Sequence, residues 1–134
     1  MEQRKETWVR IQNEHDVLRA VMEAGKTAST VGFDASASQM ISTAVSELAR
    51  NIMKYAGKGE VIIRPLSKEH LQGVEIKVQD RGQGIEDVEK ALDDHYSTSG
   101  TLGLGLPGVK RLMDDFEIES TLGEGTRVTI RKWL

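Results

Sequence analysis

A polar stripe runs along the stretch ELARNIMK, where Glu47, Asn51 and Lys54 stand at positions i, i+4 and i+7 of a predicted helix. A carboxylate, a neutral amide and an ammonium group on one stripe suit a site for an anion and a metal. An amide oxygen can bind Mg²⁺ without adding charge, and an ammonium group can meet phosphate oxygens. The same stripe also fits a solvated helix edge, so this stretch alone leaves both interpretations open.

Two further stretches place polar groups beside glycines at the ends of predicted strands. In DRGQG, Asp80 offers an acceptor for an exocyclic amino group, and Gly82 and Gly84 would let a flat ring approach the backbone. A plain β-turn explains the same residues, because Asp and Gly favour turns. In GEGT, Thr126 adds a hydroxyl to a tight turn, which by itself predicts only a hairpin.

The segment 103–108, GLGLPG, fits the pattern G-x-G-x-x-G. A dinucleotide-binding turn would need a strand directly before it and a parallel strand after its helix. Here the preceding STSGT is a poor strand, and a hairpin follows the helix, so we disfavour an NAD(P) oxidoreductase. The glycines still allow backbone N–H groups to face one anion beside a helix start near Leu106. A surface loop is the alternative for this stretch alone.

The elements that must position these residues follow from apolar spacing and from capping and turn residues. The first half of the chain predicts a strand over Thr7–Gln12, a helix from Asn13 to near Gly32 and a helix from Asp34 or Ser36 to about Ala56. The first of these helices carries Val17, Leu18, Val21 and Met22 on one face. The second half predicts strands over Glu60–Arg64 and Val74–Val78, a short helix over Glu86–Asp93, a loop over 94–105, a helix starting at Pro107, and strands over Glu117–Thr121 and Arg127–Trp133. The order β-α-α-β-β-α-β-β predicts an α+β fold in which helices cover one face of a mixed, mostly antiparallel sheet.

The composition excludes several classes of protein. A chain of 134 residues without an internal repeat or linker predicts one domain over 1–134. The net charge of −3 argues against a nucleic-acid partner, which needs a basic face. No apolar run approaches the ~18 residues of a membrane helix, and cysteine is absent, so we expect no membrane partner and a cytoplasmic location.

The order of the four stretches resembles a known superfamily. Glu-x-x-x-Asn on a helix, then Asp-x-Gly-x-Gly, Gly-x-Gly before a helix and Gly-x-Gly-Thr is the order of the GHKL ATP-binding fold, a two-layer α/β sandwich, and the resemblance covers essentially the whole chain. SELARNIMKYAGKGE and STSGTLGLGLPGVKRLMDDFEI are most similar to the small bacterial serine/threonine kinases of partner-switching systems, of the stressosome switch-kinase type.

The resemblance implies ATP and Mg²⁺ as cofactors and assigns roles to residues. Asn51 would bind Mg²⁺, Asp80 would accept a hydrogen bond from the adenine amino group, and Thr126 would assist through water. We expect Glu47 to be the catalytic general base toward a partner's hydroxyl. The nucleotide-binding residues implied are Asn51, Lys54, Asp80, Gly82, Gly84, Thr98, Ser99, Gly100, Gly103, Leu104, Gly105 and Thr126, with a lid over about 94–102.

The resemblance also implies partners. The substrates would be STAS-domain scaffold or antagonist proteins of a stressosome, and the released kinase would activate a downstream regulator such as a PP2C-type phosphatase. One departure is the lid: related anti-sigma kinases carry an arginine shortly before the Gly-x-Gly, whereas STSGT has no basic residue. Charge compensation would then come from Mg²⁺, Lys54 and the helix start. An anti-sigma-like module that sequesters its partner is the alternative function.

Overall fold

The computed structural model of the chain describes residues 6–88, 92 and 105–134. In chain order the elements within these ranges are β1 (Thr7–Ile11), α1 (Glu14–Val31), α2 (Ala35–Tyr55), β2 (Gly59–Lys68), β3 (Leu71–Asp80), α3 (Gly105–Leu112), β4 (Asp115–Thr121) and β5 (Gly125–Trp133). The order predicted from the sequence is confirmed. The predicted short helix over Glu86–Asp93 lies partly outside the described residues, although the Leu92 amide donates to the Val88 carbonyl at 3.1 Å.

The strands form one sheet in the order β1-β2-β3-β5-β4, and every described pair is antiparallel. The strand after α3 is β4, which lies at the sheet edge and is separated from β3 by β5. A Rossmann unit needs a parallel strand there, so the fold excludes a dinucleotide-binding turn at GLGLPG. No helix in the described part of the chain combines the length and apolarity needed to cross a membrane.

The two long helices begin where side-chain caps satisfy their free amides. Asn13 Oδ1 accepts from the Asp16 amide at 3.0 Å, and Asp16 Oδ2 accepts at 2.9 Å from the amide of Gln12, the residue before the cap. Asp34 Oδ1 accepts from the Ala37 amide at 2.8 Å and starts α2. The capping residues therefore fix where α1 and α2 begin.

The hydrophobic core lies between one sheet face and the helices α1 and α2. Along β3, Val74, Ile76 and Val78 alternate toward the helices, as the period of a strand requires. The other buried residues of this core are Val9, Ile11, Val17, Ala20, Ala24, Ala28, Phe33, Ile41, Ala44, Val45, Leu48, Ala49, Ile52, Val61, Ile63, Val109, Met113, Val128 and Ile130. The prediction that helices cover one face of the sheet agrees with this arrangement.

The predicted buried face of α1 was wrong in two positions. Leu18 and Met22 are 53% and 65% exposed, whereas the buried stripe carries Ala20, Ala24 and Ala28. Alanines four residues apart share one helix face, and their small side chains allow α1 to pack closely against its neighbours. The apolar size of Leu18 and Met22 misled the assignment, because exposed large side chains occur singly on many surfaces.

Four strands, β2 to β5, are longer than the sequence predicts. The β2–β3 ladder continues to the pair Lys68 and Leu71, where Glu69 adopts φ 55° in the turn. These outer residues are polar or exposed, so no buried pattern marks them, yet antiparallel backbone pairing needs no apolar side chain. The final helix also begins earlier, at Gly105, so that Pro107 lies in its first turn, where an amide is not required.

The opposite face of the sheet carries a buried charge. Glu75 is only 2% exposed, and its carboxylate accepts from Arg64 Nε at 2.7 Å and from Arg131 Nε at 2.8 Å. Burial by itself raises the pKa of Glu75, but the hydrogen bonds from the two guanidinium groups outweigh it, so this pKa lies below its ordinary value. The cluster joins β2, β3 and β5 across the sheet.

Candidate functional site

The polar stripe on α2 divides at the edge of the buried helix face. Glu47 and Asn51 are half-buried one turn apart, next to the buried Leu48 and Ile52. Lys54 is exposed, and its Nζ lies 5.2 Å from the centroid of the Tyr55 ring. The structure therefore keeps Glu47 and Asn51 together beside the core and places Lys54 on the surface.

Glu47 reaches the first residue of α3. Its Oε2 lies 3.4 Å from the Gly105 amide nitrogen, a long hydrogen bond that joins residues 58 positions apart. The first amides of a helix have no partner within the helix and carry a partial positive charge, so they attract anions. This contact brings the α2 motif to the glycine motif. Thr98, Ser99, Gly100, Gly103 and Leu104 lie outside the described residues.

The residues that follow β3 turn toward the end of α2. Asp80 Oδ1 accepts from the Gly82 amide at 2.8 Å. A Cβ atom on Gly82 would lie 2.6 Å from Ala56 Cβ and 3.2 Å from Asp80 Oδ1. Only a residue without a side chain fits between the carboxylate and the end of α2. The Asp80 carboxylate therefore faces the helix side of the sheet, as Glu47 and Asn51 do.

The loop 81–85 is held against the β4–β5 turn. The Gly123 amide donates to the Gln83 carbonyl at 2.7 Å, and the Ile85 amide donates to Ser120 Oγ at 2.7 Å. Between these two bonds lies Gly84, at φ 79°, where a Cβ would come within 2.3 Å of the Thr121 carbonyl oxygen. Two hydrogen bonds and the close packing of Gly84 on Thr121 therefore hold the loop that carries Gly82 and Gly84.

Thr126 lies beside Asp80 in the sheet. The two residues are partners in the β3–β5 register, so their side chains occupy the same face on adjacent strands. Thr126 Oγ1 lies 2.8 Å from Ser120 Oγ on β4. The sequence motifs include Asp80 and Thr126, which the structure places side by side, but not Ser120. The alternation of side chains along a strand could have indicated Ser120, because it is two residues from Ile118 and so points to the same face, which is the core face.

The polar side chains of this region fit a nucleotide whose phosphate oxygens supply most of the ligands of a metal ion. No group of three His, Asp or Glu residues suited to a metal occurs in residues 6–88, 92 and 105–134. Mg²⁺ keeps several waters and takes few protein ligands when substrate phosphates complete its shell. The half-buried side-chain amide of Asn51, with no hydrogen bond to another described residue, fits such a single ligand.

A cleft of about 630 Å³ opens at the end of the sheet that carries Asp80. The side chains that line it include a row across all five strands: Arg10, Glu60, Gln79, Arg127 and Glu119. These positions alternate with Asp80 and Thr126 along their strands, so they point to the face opposite the helices. Asp80 and Ser120 also line this cleft, whereas Glu47 and Asn51 do not, so the cleft adjoins the predicted nucleotide site at Asp80.

Comparison with known proteins gives a consistent result. The family described as "Histidine kinase-like ATPase domain" matches residues 11–132. The chain is 47% identical over 126 residues to "Serine/threonine-protein kinase RsbT" of Bacillus subtilis (strain 168), covering 94% of this chain and 95% of that protein.

More distant relatives agree with this result. An "Anti-sigma F factor" of Caldanaerobacter subterraneus subsp. tengcongensis is 37% identical over 98 residues, covering 70% of this chain and 68% of that protein. The solved "Mycobacterial sensor histidine kinase MprB" has the same fold at a TM-score of 0.56 and 16% identity, covering 98% of this chain and 97% of that one.

Proposed function

Because this chain belongs to the histidine kinase-like ATPase domain family, we propose that it is an ATP-dependent serine/threonine protein kinase that works as a partner switch. The observation that carries the proposal is the contact between Glu47 and Gly105. It puts a carboxylate at a helix N-terminus, one turn from the amide of Asn51. A base, a metal ligand and an anion-attracting backbone are the parts that phosphoryl transfer requires.

The base of ATP would bind between Asp80 and the loop 81–85. Asp80 accepts a hydrogen bond from the exocyclic amino group, and Thr126 assists from the neighbouring strand. The backbone of Gly82 and Gly84 would back the ring, and the hydrogen bonds at Gln83 and Ile85 hold this loop against the β4–β5 turn. Preorganised groups of this kind lower the ordering cost of binding.

The phosphates would extend from there toward the start of α3. The sequence motif assigns phosphate binding to Gly103, Leu104 and Gly105 and to Thr98, Ser99 and Gly100 of the predicted lid; of these, Gly105 lies within the described residues. Asn51 would hold Mg²⁺, and the metal would supply positive charge against the charge that develops on the phosphates. Lys54 is exposed, with its Nζ 5.2 Å from the Tyr55 ring centroid, and would have to leave that ring to bind a phosphate.

Glu47 would take the proton from the serine or threonine hydroxyl of a protein substrate. The hydroxyl oxygen then forms a bond to the γ-phosphorus, the bond between that phosphorus and the bridging oxygen breaks, and ADP leaves. In the nucleotide-free chain Glu47 is held near this position by the Gly105 amide. A positioned general base of this type contributes about 10²–10⁴-fold to a rate.

The protein substrates in this proposal are STAS-domain proteins of a stressosome in the cytoplasm, and the released kinase activates a PP2C-type phosphatase. The similarity to RsbT over 94% of the chain supports this assignment. The anti-sigma F relatives favour a second function, in which the nucleotide only stabilises a surface that sequesters a regulatory protein. Only the kinase function requires Glu47 as a general base.

The test is incubation of the chain with labelled ATP, Mg²⁺ and a STAS-domain protein. We expect phosphoserine or phosphothreonine on that protein. Glu47→Gln should slow transfer at least about hundredfold while ATP affinity is kept, because the glutamine oxygen still accepts from Gly105 but takes no proton. The control is Glu23→Gln, a carboxylate of α1 outside the site. Equal transfer by both variants would favour sequestration.

A further inference from the structure

The hydroxyl of Ser120 lies where three backbone segments meet. It accepts from the Ile85 amide at 2.7 Å, donates to the Gly125 carbonyl oxygen at 3.1 Å and contacts Thr126 Oγ1 at 2.8 Å. It therefore joins the loop after β3, the β4–β5 turn and the Thr126 side chain.

These three contacts determine the direction of the hydrogen bond between the two hydroxyls. A serine hydroxyl has one proton and two acceptor sites. The Ile85 amide can only donate and the Gly125 carbonyl can only accept, so the Ser120 proton goes to Gly125. All three contacts are hydrogen bonds at once only when Thr126 donates its proton to Ser120. The proton of Thr126 is then used, and its remaining lone pairs can only accept.

Thr126 and Asp80 therefore form a pair of acceptors on one face of the sheet. Ser120, Thr126 and Asp80 are successive partners across β4, β5 and β3. A carboxylate also accepts only. Two adjacent acceptors favour a ligand that presents N–H hydrogens and disfavour a carbonyl oxygen, because two facing acceptors leave a buried polar group unpaired.

We propose that Ser120 is a positioning residue that sets the hydrogen-bond polarity of Thr126 and so makes the site select a 6-amino purine over a 6-oxo purine. This inference rests on the proposed ATP site between Asp80 and the loop 81–85. It adds a residue that touches no nucleotide and acts through Thr126. Removing the Ser120 hydroxyl frees the Thr126 proton, which can then be donated to a carbonyl at position 6.

The test is calorimetric binding of ATP and of inosine triphosphate, which carries a carbonyl in place of the amino group, to the full chain with Mg²⁺. The wild-type chain should bind ATP more tightly. Ser120→Ala should lower the ratio of the two affinities by about two- to tenfold, the range of one hydrogen bond, mainly through tighter binding of inosine triphosphate. Ser120→Thr keeps the hydroxyl and should keep the wild-type ratio.

Equal weakening of both nucleotides by Ser120→Ala would show that Ser120 only holds the loop, and would overturn the inference. If that variant does not fold, Thr126→Val takes its place. It should weaken ATP by the same factor and leave inosine triphosphate unchanged, and an equal loss for both again overturns the inference. A wild-type chain that binds neither nucleotide would contradict the proposed function itself, whereas a chain that binds ATP with an unaltered ratio in Ser120→Ala would contradict only the role of Ser120.

Discussion

Gly84 is the position at which one added methyl group tests the geometry of the site most sharply. Its φ of 79° costs a residue with a side chain about 1–2 kcal/mol. Its missing Cβ would also lie 2.3 Å from the Thr121 carbonyl oxygen and 2.8 Å from the Thr121 carbonyl carbon, both backbone atoms of β4. Overpacking of this kind costs about 1–3 kcal/mol more. Gly84→Ala should therefore destabilise the fold by about 2–5 kcal/mol.

Gly123→Ala is the matched control. Gly123 has φ 86°, yet within the described part of the chain no atom beyond its chain neighbours lies within 4 Å of its missing Cβ, so only the backbone penalty of about 1–2 kcal/mol applies. Urea unfolding of the two variants isolates the contact with Thr121 as the difference between them. Because Gly84→Ala must push the loop 81–85 off β4, it should also weaken ATP binding more than Gly123→Ala does. Equal destabilisation of the two variants would refute the close approach of this loop to β4.

Three further predictions concern the base, the metal and the buried charge. Asp80→Asn puts an amide donor opposite the base amino group and should weaken ATP about tenfold or more in calorimetry, whereas Glu124→Gln in the exposed turn nearby should leave affinity unchanged. Asn51→Ala should remove most of the increase in ATP affinity that Mg²⁺ gives to the wild-type chain, and an unaltered Mg²⁺ dependence would refute its role as ligand. Glu75→Gln should destabilise the fold at neutral pH by about 2 kcal/mol. This is less than the loss of a fully buried ion pair costs, because Arg64 and Arg131 are partly exposed. Glu117→Gln, which removes an exposed partner of Arg131, should cost less than about 1 kcal/mol. Since the pKa of Glu75 is lowered in the fold, its contribution to folding stability is complete above the ordinary glutamate pKa of about 4.3 and is lost as pH falls through the folded value. The stability of wild type should therefore fall more steeply with decreasing pH than that of Glu75→Gln. Equal slopes of stability against pH would contradict the assigned direction of the shift.

The parts of the fold that local sequence determines were predicted well. Asn13 and Asp34 mark helix starts because a cap bonds to amides two or three residues away. Asp80 was identified as a polar residue that ends a buried strand next to glycines. Such features involve neighbours along the chain, so one sequence contains their cause.

The features that were missed depend on contacts between distant residues. The burial of Glu75 follows from the register that sets Arg64 and Arg131 on either side of it. Ser120 gains its role only because β4 pairs with β5 and the loop 81–85 folds over that pair. A strand pattern gives the face of each side chain but not its cross-strand partners, and these partners decide both cases.

The central claim is that separated stretches of this chain enclose one magnesium-bound adenine nucleotide on the helix side of the sheet. A crystal structure with a non-hydrolysable ATP analogue and Mg²⁺ tests it most directly. We expect the base amino group within hydrogen-bond distance of Asp80, the metal on Asn51 and the γ-phosphate beside Glu47. A nucleotide bound instead in the cleft beside Arg10 and Arg127, or no bound nucleotide, would contradict the claim.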